Sequence, residues 1–284
     1  MQKEFKEFMQ RHGLTQAMIA RSLGVSSSQI SQWLKGKYKG DVEALEMKLG
    51  NFINNYNKRG FKESEEIYET TDLRMAHFTI DEAIIGKEMC LLYGESGVGK
   101  TTAIKEYVKN RPEAVLIEVI PGMSVKSFLR RIAKAVGVNE VLNTEELLLE
   151  IVKEFKRREA VLIIDEAENL TTNALESIRR IWDFSQVPIA LVGTYAVIPN
   201  LKGRRGELKQ LFGRIIGRWE FKGPQRDEEW KIFFGEWAKE VKKYTKHLRR
   251  AVNMYKKAKR LAELENKELN AGHIQMASSM VILD

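Results

Sequence analysis

Cysteine and proline are scarce in this chain of 284 residues, and long apolar runs are missing from it. Its one cysteine, Cys90, excludes an intrachain disulfide, and its place in the apolar run MCLLY predicts a core position rather than a reactive thiol. This usage leads us to expect a protein of the reducing cytoplasm. No apolar run approaches the ~20 residues of a membrane span, and the polar start MQKEFKEF predicts neither a signal peptide nor a membrane partner.

Positive charge is concentrated at the two ends of the chain, whose formal net charge is +8. Lys and Arg exceed Asp and Glu by five in residues 1–60 and by four in residues 223–284, whereas residues 61–222 carry −1. Basic ends favour contact with a polyanion, usually nucleic acid. The alternative is that these cations only keep surface helices soluble.

Two polar stretches that contain glycine divide the chain, at residues 54–69 and 222–229. They predict an all-helical domain over 1–56, a linker over 57–69, a core over 70–222 and a helical subdomain over 223–284. Within the core, the apolar runs MCLLY, AVLIEVI, VLIID and PIALVG alternate with amphipathic helical stretches. This alternation is typical of an α/β fold with a parallel sheet.

The stretch GESGVGKTT directly follows a predicted strand and precedes a predicted helix, as a phosphate-binding P-loop requires. Its backbone N–H groups and the helix N-terminus are suited to hold the phosphates of ATP. We expect Lys100 to reach the β- and γ-phosphates and Thr101 to ligate Mg²⁺. The residues predicted to bind the nucleotide here are Gly94, Glu95, Ser96, Gly97, Val98, Gly99, Lys100, Thr101 and Thr102.

A second acidic motif, VLIIDEAE, follows about 65 residues later, a usual gap for this kind of unit. Asp165 ends a buried strand, where ligands bind in open α/β sheets, and is predicted to hold Mg²⁺. Glu166 is predicted to polarise the attacking water, which favours hydrolysis over metabolite phosphorylation. Thr194, at the end of IALVGT, is a candidate for orienting that water, although it also fits a residue that stabilises its own turn.

Arginines are candidates for stabilising charge on the transferred phosphate. The stretch QLFGRIIGR places Arg214 and Arg218 four residues apart, which predicts that they share one helical face and that one of them acts on a neighbouring subunit. In HLRR, Arg249 or Arg250 is a candidate sensor of the γ-phosphate within the same chain. The alternative for each is an ordinary surface ion pair.

The N-terminal stretch TQAMIARSLGVSSSQISQWLKG predicts a helix, a turn at Gly24 and a second helix. The second helix combines small polar residues with an apolar back, as a helix in the DNA major groove requires. The residues predicted to face DNA are Ser27, Ser28, Gln29 and Gln32, with Gln16 on the backbone. The alternative is a small helical bundle used for protein contacts.

In these motifs the chain resembles proteins of two families. Residues of about 10–53 resemble the Cro/C1-type repressor helix-turn-helix fold, and residues of about 66–284 resemble an AAA+ ATPase. In that comparison GESGVGKT is Walker A, VLIIDE is Walker B, Thr194 stands in the sensor-1 place, Arg214 in the arginine-finger place and Arg249 in the sensor-2 place. The domain order and the ETTDLR stretch before the P-loop are similar to the phage Mu transposition protein B family of ATP-dependent target-DNA activators.

The resemblance implies an ATPase that uses ATP and Mg²⁺ in the cytoplasm of a bacterial host cell and assembles on double-stranded DNA with little sequence preference. It implies a homo-oligomer, a helical filament or ring, that delivers target DNA to a transposase and is cleared by hydrolysis. The chain departs from AAA+ habits in having Thr rather than Asn at sensor 1 and no clean Gly-x-x-Arg at sensor 2. Two basic clusters of the ATPase region are expected to face DNA, with a solvated surface as the alternative: Lys126, Arg130 and Arg131, and Lys202, Arg204 and Arg205.

Two other functions fit the same motifs. One is a replication initiator or helicase loader, which would have a helicase partner. The other is a transcription regulator whose helix-turn-helix domain reads one operator while the ATPase acts as a sensing module. A footprint at one site favours the regulator, whereas continuous protection of arbitrary duplex favours the filament.

Overall fold

The structure is a computed structural model that describes residues 2–11, 13–59, 67–109, 111–203 and 208–282. The chain divides into two compact units, residues 1–66 and 67–284. The first unit contains α1 (Gln2–Arg11), α2 (Gln16–Leu23), α3 (Ser27–Leu34) and α4 (Val42–Arg59). The fourth helix therefore continues past residue 56, where the sequence placed the end of the first domain.

The first unit is a helix-turn-helix domain with a small core of its own. The turn between α2 and α3 contains Gly24 with a φ of 65°, a left-handed conformation that glycine adopts without steric cost. Trp33, at the back of α3, is buried, and its indole N–H donates to Glu46 Oε1 at 3.0 Å. The core consists of residues from all four helices, among them Phe5, Met9, Ile19, Ala20, Ile30, Trp33, Leu45 and Leu49.

The second unit is built on a parallel sheet of five strands. These are β1 (Met89–Gly94), β2 (Ala114–Glu118), β3 (Val161–Asp165), β4 (Ile189–Gly193) and β5 (Ile215–Phe221), in the order β2-β3-β4-β1-β5. The central strands are buried on both faces, as their continuous apolar runs predict. The parallel α/β sheet expected from the sequence is confirmed.

Helices cover both faces of this sheet. Cys90 and Leu92 of β1 pack with α5 (Thr71–Gly86) and α6 (Lys100–Lys109). Met89 and Leu91 point to the other face, which is covered by α7 (Val125–Val136), α8 (Thr144–Arg157) and α9 (Thr172–Ser185). Cys90 is fully buried, as predicted, and burial raises the pKa of its thiol to about 12.

The prediction that Arg214 and Arg218 share a helical face is wrong. After α10 (Val197–Lys202) and α11 (Lys209–Phe212), the chain forms the edge strand β5 beside β1. Two β-branched residues, Ile215 and Ile216, favour a strand at this point, and Gly217 disfavours a helix. Arg214 therefore lies in the short connection before β5, and Arg218 lies within the strand.

A helical subdomain follows the sheet. It contains α12 (Asp227–Phe234), α13 (Ala238–Lys242), α14 (Leu248–Leu264) and α15 (Ala271–Ser278). Its core includes the apolar stripe read from the sequence, with Trp230, Phe234 and Val241 buried against Met254 and Ile274. Among the helices of the described ranges, none combines the length and the apolar character that crossing a bilayer requires.

Two buried carboxylates connect the start of α5 to the junction between sheet and helical subdomain. Asp72, in the ETTDLR stretch, accepts hydrogen bonds from Trp219 Nε1 (3.0 Å), Lys222 N (3.0 Å) and Gly223 N (2.8 Å). Glu229 of α12 accepts in turn from Thr71 N at 3.0 Å. Its other oxygen accepts from Gln225 N at 2.9 Å.

These hydrogen bonds fix the helical subdomain against the sheet, because each carboxylate satisfies backbone N–H groups of a different segment. Burial alone would raise the pKa of Glu229, but the hydrogen bonds from Thr71, Gln225 and Arg226 hold that pKa at about 2. For Asp72, burial is the larger influence, and its pKa is raised.

Replacing Glu229 by Ala should lower the free energy of unfolding by about 2–4 kcal/mol, because buried backbone N–H groups lose a charged acceptor. Glu228→Ala, an exposed neighbour on the same helix, is the matched control and should change it by less than about 0.5 kcal/mol. Denaturant unfolding measures both. Because the pKa of Glu229 is depressed from 4.5 to about 2, its contribution is complete above pH 4.5. The gap between wild type and Glu229→Ala should therefore shrink as the pH falls from 4.5 towards 2; a constant gap would contradict this assignment.

Candidate active site

The P-loop joins the end of β1 to the start of α6. Gly97 has a φ of +85° and Gly99 a φ of +107°, conformations that L side chains rarely adopt, so the loop can curl with its N–H groups inward. Lys100, the first residue of α6, is buried. Its ammonium donates to Gly94 O at 2.9 Å and Glu95 O at 2.7 Å, inside the curl of the loop.

Lys100 lies among carboxylates. Burial lowers the pKa of Lys100, while Glu168, Asp165 and Glu166 act in the opposite direction. These three carboxylates stabilise the protonated form of Lys100, which is the form that would bind a polyphosphate. This arrangement fits the phosphate-binding role predicted for Lys100.

Thr101 and Asp165 meet at the site predicted for magnesium. Thr101 Oγ1 donates to Asp165 Oδ2 at 2.9 Å, although 64 residues separate them in the chain. Burial raises the pKa of Asp165, and the hydrogen bonds from Thr101 and Glu166 N partly offset this. A hydroxyl and a carboxylate are the oxygen ligands that Mg²⁺ takes from a protein when phosphates and water supply the others. The two residues therefore fit a magnesium ion.

Glu166 adopts a left-handed backbone conformation, with φ 56° and ψ 38°. This conformation is uncommon outside glycine and is often found at functional sites. Its N–H donates to Asp165 Oδ1 at 2.9 Å, which orients the turn after β3. Burial, then Glu168 and Asp165, raise the pKa of the Glu166 carboxyl. A raised pKa makes a carboxylate a better proton acceptor.

Thr194 follows β4, which lies between β1 and β3 in the sheet. Its backbone N–H donates to Glu168 Oε1 at 3.2 Å. The structure therefore brings the end of β4 together with the turn after β3. Glu168 was missed in the sequence analysis, where the third carboxylate of DEAE was the available signal.

The helical subdomain contributes residues from the start of α14. Arg249 Nη1 reaches Ser96 Oγ of the P-loop at 3.4 Å. Gly97 is packed closely against Arg249 and His247, so that a side chain at position 97 would collide with both. His247 was also missed; its Nδ1 is buried and has no hydrogen-bond partner within the described residues.

Arg214 lies far from the P-loop of its own chain. Because β5 pairs Phe221 with Gly94, the seven residues of that strand, at ~3.3 Å each, separate Arg214 from Gly94 by roughly 20 Å. Arg214 Nε pairs with Asp183 Oδ1 at 3.2 Å, and its guanidinium lies 5.4 Å from the centre of the Trp182 ring. Arg218 is exposed on β5.

The predicted DNA-facing residues of the first unit lie on or beside α3. Ser27, Ser28 and Gln32 are exposed, and Gln16 is half-buried at the start of α2. Gln29 is engaged in capping its own helix: its Oε1 accepts from Ser26 N at 2.9 Å, and its N–H donates to Ser26 Oγ at 3.2 Å. In this arrangement the exposed polar groups of α3 are the two serines and Gln32.

The two basic clusters of the second unit differ in what they contact. Lys126 is exposed on α7, whereas Arg130 Nε donates to Glu140 O at 3.0 Å and Arg131 Nη1 to Glu118 O at 2.8 Å. Both arginines are exposed, yet Arg130 also contacts the loop before α8 and Arg131 the end of β2. Lys202 is exposed, with its ammonium 5.6 Å from the ring centre of Phe212. Arg204 and Arg205 lie outside the described residues.

Thr101→Val should weaken the magnesium dependence of ATP binding, because it deletes the hydroxyl that is predicted to ligate Mg²⁺ beside Asp165. Thr101→Ser keeps the hydroxyl and is the matched control. We expect the gain in ATP affinity on adding Mg²⁺ to fall by about tenfold in Thr101→Val, the equivalent of one charge-assisted hydrogen bond. Titration of a fluorescent ATP analogue with and without Mg²⁺ measures this gain. An unchanged gain in Thr101→Val would remove Thr101 from the magnesium site.

Comparison with known proteins agrees with this architecture. A family model described as AAA domain matches residues 84–201, and one described as helix-turn-helix matches residues 5–46. The Mu-like prophage FluMu DNA transposition protein B of Haemophilus influenzae is 31% identical over 204 residues, covering 70% of this chain and 71% of that protein. The ATP-dependent target DNA activator B of Escherichia phage Mu is 27% identical over 205 residues, covering 70% of this chain and 66% of that protein.

Among solved structures, the chain is similar in fold to the ORC2 protein of Aeropyrum pernix, solved as ADPNP–ADP complexes. The TM-score is 0.62 at 15% identity, covering 79% of this chain and 72% of that chain. This likeness shows the AAA+ fold. With the two domain matches and the prophage relative, it confirms the resemblance read from the sequence: the chain belongs to the phage Mu transposition protein B family.

Proposed function

We propose that this chain is an ATP-dependent DNA-binding ATPase that assembles on target DNA, delivers it to a transposase and leaves it when ATP is hydrolysed. The observation that carries the proposal is the position of Arg214. The P-loop, Thr101, Asp165 and Glu166 form one end of the sheet, whereas Arg214 lies roughly 20 Å away along β5, beyond reach of its own site. In the proposal this arginine, which pairs with Asp183 within its own chain, serves the pocket of a neighbouring copy.

Each residue at the site has a distinct task in this proposal. Lys100 and the P-loop N–H groups hold the phosphates, and Arg249 closes over Ser96 from the helical subdomain. Thr101 and Asp165 hold Mg²⁺, which screens the charge of the phosphates when bound. Glu166 accepts a proton from the attacking water, and Thr194 helps to orient that water.

DNA is the proposed partner because of the helix-turn-helix unit and the basic ends of the chain. The exposed Ser27 and Ser28 offer short side chains that suit close approach and discriminate bases weakly, which fits binding with little sequence preference. The exposed Gln32 adds an amide that can reach a base edge or a phosphate. The relatives, a DNA transposition protein and an ATP-dependent target DNA activator by name, support double-stranded target DNA and a transposase as partners.

Negative-stain imaging on random-sequence duplex tests the proposal. With ATP we expect continuous protein-coated DNA, and with ADP or no nucleotide bare DNA, because the γ-phosphate is needed at the contact between copies. Glu166→Gln should bind ATP and DNA but stay assembled, since it cannot complete turnover. DNA binding by the wild-type chain should weaken steeply as the salt concentration rises. Equal coating of DNA with ATP, with ADP and without nucleotide would refute the control of assembly by ATP. Protection of a single sequence in a footprint would favour a transcription regulator.

Arg214→Ala should bind ATP normally but lose hydrolysis by about 10³-fold, as loss of an arginine finger does. Arg218→Ala, on the exposed edge strand, is the control and should retain near wild-type turnover. Phosphate release in the presence of DNA measures both.

Mixing Arg214→Ala with Glu166→Gln gives a sharper result. Each variant is inactive alone, but an Arg214→Ala pocket next to a Glu166→Gln neighbour has both the base and the arginine. Hydrolysis should therefore reappear in the mixture. Its absence, with both variants co-assembled on DNA, would mean that Arg214 does not act between copies.

A further inference from the structure

Glu168 connects the turn after β3 to the segment that follows β4. It lies in the 3₁₀ turn Ala167–Asn169. Its carboxylate Oε1 accepts from Thr194 N at 3.2 Å, and its backbone oxygen accepts from Asn200 Nδ2 of α10 at 2.9 Å. Glu168 thus contacts the segment that follows β4 twice, at Thr194 through its side chain and at Asn200 through its main chain.

The fit of the Glu168 carboxylate is tight. A side chain at Gly193 would collide with Oε2 of Glu168, so the absence of a Cβ at position 193 makes room for it. That oxygen is buried and has no hydrogen-bond partner within the described residues. Leaving a buried carboxylate oxygen unpaired is unfavourable, so the stability of the turn alone does not explain a glutamate at position 168.

Glu168 also acts on the P-loop lysine. Among the carboxylates of the site, Glu168 opposes the lowering of the pKa of Lys100 most strongly, ahead of Asp165 and Glu166. Its carboxylate therefore interacts both with the tip of β4, through Thr194 N, and with the lysine of the P-loop.

We propose that Glu168 is a positioning residue that holds Thr194 at the tip of β4 in register with the turn that carries Asp165 and Glu166. This inference rests on the proposed ATPase activity, in which Thr194 orients the attacking water. Glu168 itself does not touch the reacting atoms in this scheme. It fixes the backbone of Thr194, so that the hydroxyl and the Glu166 carboxylate act on the same water.

The test compares Glu168→Ala with Glu168→Gln in the full chain. Glutamine keeps an oxygen that can accept from Thr194 N, whereas alanine does not. Without nucleotide, amide hydrogen exchange at Thr194 should be faster in Glu168→Ala and close to wild type in Glu168→Gln. This readout requires no turnover, so it reports on the contact even if the chain proves not to hydrolyse ATP.

With ATP, Glu168→Ala should lower the single-turnover rate by about 10–100-fold, the usual effect of losing a supporting partner of a reactive group. The ATP affinity should change much less than the rate, because Glu168→Ala leaves the P-loop backbone and Lys100 in place and removes only a nearby charge. Glu168→Gln should recover most of the rate. A lower ATP affinity with an unchanged single-turnover rate in Glu168→Ala would overturn the proposal. So would a rate and an amide exchange at Thr194 that both match wild type.

Two further variants separate positioning from general damage to the fold. Gly193→Ala should reproduce the rate loss of Glu168→Ala, because the added methyl displaces the carboxylate while Glu168 itself remains. Adding Glu168→Ala to Thr194→Ala should lower the rate no further than Thr194→Ala alone, since both changes disable the same group. Fully additive losses would mean that Glu168 acts on something other than Thr194.

Discussion

The insertion of β4 between β1 and β3 is the constraint on which the site depends. Three parallel strands end side by side, so the P-loop, Thr194 and the Asp165–Glu166 pair all project from one edge of the sheet. The hydrogen bond from Thr101 to Asp165 closes the arrangement across the tip of β4. Packing of all three strands on both faces keeps this register, because a one-residue slip would turn every side chain of a strand to the opposite face of the sheet.

A second constraint acts at the junction between sheet and helical subdomain. Asp72 and Glu229 each bind backbone N–H groups of another segment, which ties the start of α5 to the residues after β5. The same subdomain carries His247 and Arg249 to the P-loop. The ETTDLR stretch thus affects the nucleotide pocket indirectly, by fixing the element that covers it.

Local patterns in the sequence were enough to predict the P-loop and the strands β1 to β4, because glycine spacing and continuous apolar runs each depend on only a few neighbouring residues. The strand β5 was not predicted, since the spacing of Arg214 and Arg218 suits one face of a helix and one face of a strand alike. Glu168 and Asp72 depend on contacts with residues 26 and 150 positions away, which no local pattern encodes. Gln29 fits a base-reading position in the sequence, and it also satisfies the pattern of a capping box, which it forms with Ser26. Its contact with DNA stays a prediction.

The distance between Arg214 and the P-loop of its own chain has a consequence for any assembly in which copies join head to tail. Such contacts use two different surfaces of each copy, so the array has a direction and two unlike termini. The copy at one terminus would hold its nucleotide with no donor opposite it and would turn over last. That terminal pocket takes part in no contact between copies, so hydrolysis at the pockets inside the array would decide where it breaks.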